Sequence, residues 1–165
     1  MFERYSERAR HIIFLTRLRA GQSGAAVIGT EHLVEALVLE DQGKLADALG
    51  VAPGSFRTFA TSVSRPSVPF LAPETASAIL EKLQEILPHG KAIPDNVDMP
   101  TSTALSRAFD AALTLKTELH HKEVEPLHLL AAVLGEEPSQ VSDTLRGFGI
   151  SKEGVITAIK GGEYS

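Results

Sequence analysis

The chain repeats itself. Sliding the sequence by 96 residues, without gaps, lays Ser6 on Ser102, Ile13 on Phe109, Ile28 on Val124, His32 on His128, Leu33 on Leu129 and Ala36 on Ala132. Each copy then reaches a similar turn, Leu49-Gly50-Val51 and Phe148-Gly149-Ile150, where the offset has grown to 99. A period of this kind restricts the fold more than composition does, because two like sequences must build two like units. A unit of about sixty residues buries its apolar stripes poorly on its own. The two copies are therefore expected to share one continuous core, related by a pseudo-twofold axis.

Within each copy the periodicity is helical. Residues 6–20 set Ala9, Ile12, Ile13 and Thr16 on one face and Arg8, Arg10 and Arg17 mostly elsewhere, with Ser6 as a good N-cap. A glycine-rich break leads to Thr30, whose hydroxyl is expected to cap a helix carrying Leu33, Ala36 and Leu37. Further helices are expected over 43–49 and 53–62, the latter with a proline in its first turn. Residues 64–73 hold three prolines and no period, and so read as a linker. A helix over 74–87 follows, then a second Pro- and Gly-rich loop, then helices near 102–120, 126–134, 139–148 and 151–160. No stretch alternates β-branched residues as a strand would. The expected fold is all-α: two pseudo-symmetric four-helix repeats, 1–63 and 101–165, with a linker and an extra helix between them over 64–100.

Composition removes several kinds of chemistry. The 165 residues fit one domain, and 43% hydrophobic against 22% charged residues is enough apolar surface to offset chain entropy. The absence of cysteine excludes disulfides, thiolate metal sites and cysteine nucleophiles, and permits a cytoplasmic location. No window approaches the roughly 18 uninterrupted apolar residues of a membrane span. A net charge of −5, dispersed Lys and Arg, and 5% aromatics without tryptophan argue against nucleic acid. No G-x-x-x-x-G-K-[ST] loop is present to cradle a nucleotide, and no nucleophile elbow to carry hydrolysis. The acidic pairs Glu123/Glu125 and Glu136/Glu137 fall at turns, where a solvated face is the expectation. His32 and His128 recur at one repeat position, but liganding needs three or four converging donors; they are read as hydrogen-bonding a neighbouring loop. His120 and His121 are adjacent and point apart on a helix, so they make no bidentate site. Neither an enzyme nor a cofactor is expected.

Three pieces of sequence in combination carry a family resemblance: FERYSERARHII, then Ile28-Gly29-Thr30-Glu31-His32-Leu33, then Leu49-Gly50-Val51. Together they resemble the double repeat of the Clp amino-terminal domain of Hsp100 unfoldases, most closely the ClpC type. The resemblance implies a domain that sits ahead of ATPase modules and receives protein substrates or adaptors. The sequence ends before any such module, which fits an excised domain or a stand-alone relative that sequesters the same partners. The resemblance also implies recognition of phosphoarginine, with Ser6 and Arg8 on the phosphate and Glu31 on the guanidinium. A helix N-terminus suits the phosphate and a carboxylate suits the guanidinium. At the second-repeat equivalents stand Ser102, Ala104 and Leu127, so one site, in the first repeat, is the expectation.

Simpler roles stand beside these. Ser6 caps its helix, Arg8 pairs with nearby glutamates, and Glu31 is a first-turn acid favoured by the helix dipole. Because both side chains are expected at helix starts rather than in the core, neither Arg8→Ala nor Glu31→Ala is expected to unfold the protein. Phe2, Tyr5 and Phe70 either staple onto neighbouring helices or line a groove for an adaptor or unfolded segment. A helical hydrolase with a histidine–carboxylate metal site is the enzyme-class rival.

Overall fold

A computed structural model describes residues 4–44, 69–87, 90–93, 98–136 and 139–161. Seven helices lie among these residues: α1 (Glu7–Gln22), α2 (Thr30–Asp41), α3 (Pro73–Ile86), α4 (Thr103–Glu118), α5 (Pro126–Leu134), α6 (Gln140–Gly147) and α7 (Lys152–Gly161). The helices expected over 43–49 and 53–62 fall outside the described residues, except for Gly43 and Lys44. The described residues form no strand longer than an isolated bridge.

Serine starts four of the helices, because its hydroxyl takes an N–H group that the first turn leaves without a partner. Ser6 accepts from the Ala9 amide at 3.1 Å, Ser102 from that of Leu105 at 3.1 Å, Ser139 from that of Ser142 at 3.3 Å and Ser151 from that of Gly154 at 3.1 Å. Helix α2 is capped differently from expectation. Thr30 is already helical, and the N-cap is Gly29, whose amide donates to Nδ1 of His32 at 2.9 Å. At the matching place in the second repeat the Glu125 amide donates to Nδ1 of His128 at 2.8 Å. The imidazole at the third helical position does what Glu or Gln does in a capping box.

The repeats grip one another through crossed backbone pairs. Tyr5 pairs with Val124 and Ile28 with Thr101, so the strand-like residue before each repeat's first helix meets the turn before the other repeat's second. Ser6 N donates to Val124 O (3.0 Å) and Val124 N to Arg4 O (2.7 Å). Shifted by 96, the same two bonds recur as Ser102 N to Ile28 O (2.8 Å) and Ile28 N to Pro100 O (2.9 Å). Under these pairs lies one apolar cluster drawn from both halves, including Ile12, Leu15, Leu33, Leu105, Leu129 and Leu145. Helix α3 adds Ala76, Ile79 and Leu83 to it from the middle segment. Each half is incomplete without the other.

The loop after α3 returns across the end of α1. Gly90 N donates to Ser23 O and Ile93 N to Gly21 O, both at 2.8 Å. The approach requires glycine: Gly24 has φ +71°, and a Cβ there would lie 2.5 Å from Gly90 carbonyl carbon.

Candidate functional site

Helix α1 lies antiparallel to α2, and three polar contacts fix the register. Arg8 meets Glu40, Arg19 meets Glu35, and Ser23 Oγ lies 3.4 Å from Nε2 of His32. The start of α1 therefore faces the end of α2. From Arg8 to the level of Ser23 the helix climbs about 20 Å at 1.5 Å per residue. That separation divides the residues expected to form one site.

Ser6 and Arg8 stand together at one junction. The Ser6 hydroxyl accepts from Ala9 and faces the carboxyl of Glu125, the N-cap of α5, whose charged form it favours. Burial pushes the Glu125 carboxyl above the usual carboxylate range, opposed by the Ser6 hydroxyl and the charge of Arg8. Arg8 does not lie open as a first-turn cation would. It is 8% exposed, and its guanidinium grips Glu40 with two bonds, Nε to Oε2 and Nη2 to Oε1, each 2.8 Å. Such a fork is the strongest form of charge-assisted bond available to arginine.

Glu31 stands at the other junction. Its carboxylate folds back over Gly29, where that residue's Cβ would be, and lies 3.8 Å from His32 Nδ1. The side chain is a quarter exposed and follows, three residues on, the Ile28 that pairs with Thr101 ahead of α4. The pseudo-twofold thus crosses the sets: Ser6 and Arg8 share an end with Glu125 and Leu127, while Ser102 bonds the Ile28 turn that leads to Glu31. The 96-residue shift identifies equivalent residues, but it does not identify neighbours.

Of the three aromatic candidates, Phe2 lies outside the described residues. Tyr5 is 3% exposed, with its ring edge-on to that of Phe109 at 6.4 Å, so it belongs to the core rather than to a surface groove. Phe70 is half-buried and lines a small apolar cavity of about 30 Å³ between the repeats. Leu37, Leu127, Leu130, Leu145 and Ile150 line it too, and the Arg8–Glu40 pair lies at its edge. Asp41 holds Phe70 there, its carboxylate accepting from the Phe70 and Leu71 amides at 2.8 and 3.1 Å. Among the described residues no group of three or more His, Cys, Asp or Glu is placed to hold a metal ion.

The profile of the Clp repeat (R) N-terminal domain matches residues 4–148. The chain belongs to that family. Two solved structures share the Clp N-terminal fold with it. One is the N-terminal domain of the caseinolytic protease associated chaperone ClpD from Arabidopsis thaliana: TM-score 0.61 and 19% identity, covering 96% of this chain and 93% of that one. The other is a chain from structural work on a malarial protein secretion system: TM-score 0.67 and 15% identity, covering 95% and 92%.

Two residues of this Clp N-terminal domain carry site geometry that the sequence reading passed over. Glu40 reads as one more acid at the end of a helix, and only the hairpin makes it the partner of Arg8. Glu125 reads as a solvated turn acid, yet it is half-buried against Ser6. Its alignment with Gly29 was the available signal. No helix among the described residues is long and apolar enough to cross a membrane.

Proposed function

We propose that this Clp N-terminal domain recognises protein substrates or adaptors for a Clp-type unfolding machine, and acts by binding alone. The observation that carries this reading is the apolar cavity at the repeat seam, which Phe70 and Leu127 line without being fully buried. An apolar recess of about 30 Å³ rimmed by charge has room for the tip of one aliphatic side chain of an unfolded segment or adaptor loop. The test is anisotropy with a fluorescein-labelled, reduced and carboxymethylated lactalbumin, which stays unfolded. The wild type is expected to bind it, and Leu127→Asp and Phe70→Asp to weaken binding at least fivefold with the circular dichroism spectrum unchanged. No binding by the wild type, or equal binding by all three, would sink the reading.

Phosphoarginine is the finer ligand that family membership suggests, and the crossed arrangement favours the Glu31 end for it. There the carboxylate is accessible to a guanidinium, and the Ser102-capped start of α4 offers N–H groups to a phosphate. Arg8 is committed to Glu40 and is not the phosphate ligand in this reading. Calorimetric titration of phosphoarginine should show a loss of about 2 kcal/mol or more, roughly thirtyfold, in Glu31→Ala. Undiminished binding by that variant would leave Glu31 as an ordinary first-turn acid.

A further inference from the structure

The two capping histidines occupy the places where the repeats are joined. His32 and His128 are both fully buried. Each accepts, through Nδ1, the amide of the residue that starts its helix, Gly29 or Glu125. The residue just before each of these, Ile28 or Val124, makes the two backbone bonds to the opposite repeat. A ring that accepts at Nδ1 must be neutral, with its remaining proton on Nε2. That proton points to Ser23 Oγ at 3.4 Å in the first repeat and to His121 Nδ1 at 2.9 Å in the second. A second proton would set N–H against N–H at the cap and free the turn that carries the seam.

We propose that His32 and His128 form a pair of acid-sensitive latches, each holding one inter-repeat turn while its ring is neutral and releasing it when protonated.

The surroundings of the two rings differ. Around His128, His121 faces it from the turn after α4 and Lys116 from α4, while His120, Lys122, Glu123 and Glu125 of the turn and Lys160 of α7 line the same cavity. Burial, then the charges of His121 and Lys116, push His128 down to about 4. Around His32, Glu31 and Glu35 lie on its own helix, with Glu35 bound by Arg19 of α1 and by Gln84 of α3. Burial lowers His32 too, but both carboxylates oppose the shift. Both rings sit below the ordinary histidine value, so the neutral latch is complete above about pH 6.5 and is lost as the pH falls through each folded value. Loosening at both seams therefore begins below about pH 6.5, and at the Val124 seam it continues down to about pH 4.

Glutamine is the decisive replacement, since at this position it reaches the N-cap amide and does not titrate. The experiment is amide hydrogen exchange by NMR between pH 7.5 and 4.5, expressed as protection relative to the intrinsic rate. In the wild type, protection at Ile28 and Ser102, and at Ser6 and Val124, is expected to drop at least tenfold, while amides inside α1 and α4 hold. His32→Gln should abolish the drop at Ile28 and Ser102 alone, and His128→Gln the drop at Ser6 and Val124 alone. Each junction is thus the control for the other, and one folded variant suffices. Unchanged protection in the wild type, or the same acid loss in a glutamine variant at its own junction, would overturn the proposal.

Discussion

Truncating Arg8 would leave Glu40, 2% exposed, as a buried carboxylate without its guanidinium. Breaking a buried ion pair from one side costs about 3–5 kcal/mol, because the remaining charge stays desolvated. Arg8→Ala is therefore expected to lower the urea unfolding free energy by that amount, a larger cost than a side chain at an open helix start would carry. The contrast is Asp143, which bonds Arg146 one helical turn away and is 71% exposed. Asp143→Ala should change stability by less than about 1 kcal/mol, since an exposed pair gains little in water. Equal effects at the two positions would show that the Arg8 fork carries no special weight.

Glycines decide how the helices are joined, and the structure ranks them. Gly24 and Gly149 both hold positive φ, +71° and +83°, but only Gly24 has backbone packed where a side chain would start. Gly149→Ala meets nothing within 4 Å, so it should cost about 1–2 kcal/mol, the left-handed penalty alone. Gly24→Ala must also displace Gly90 and Lys91, adding overpacking of about 1–3 kcal/mol. Thermal unfolding of the two variants checks the order, and a smaller effect at Gly24 would contradict the close passage of the loop. The second repeat places His120 where the first has Gly24, with φ 59°. The substitution is possible there because His120 is exposed.

At the scale of the whole molecule, the crossed turns and the common cluster leave neither repeat a core of its own. Leu33 and Leu129 are fully buried in one apolar cluster, and α3 contributes Ile79 and Leu83 to it. Unfolding should therefore be a single cooperative step, with circular dichroism and calorimetry giving one midpoint and matching enthalpies. Two separable transitions would mean that the repeats fold as independent units.

The sequence alone determined the helices of the described residues and their kinship. Apolar spacing, serine caps and the proline at the start of α5 are local facts, and α5 was placed at 126–134 as observed. The repeat itself was legible, and with it the family. The sequence could not say which ends meet. An internal shift pairs Ser6 with Ser102 and Glu31 with Leu127 as equivalents, whereas a pseudo-twofold axis sets each residue beside the equivalent of some other one. So Ser6 and Arg8 went to Glu125 and Glu40, and Glu31 went to the opposite end of the α1–α2 pair. The burial of Tyr5 was decided in the same way, because the Phe109 ring that covers it comes from the other repeat. Local propensity acts over a few residues, whereas Arg8 and Glu40 lie 32 positions apart and Tyr5 and Phe109 lie in different repeats, so only tertiary packing brings them together.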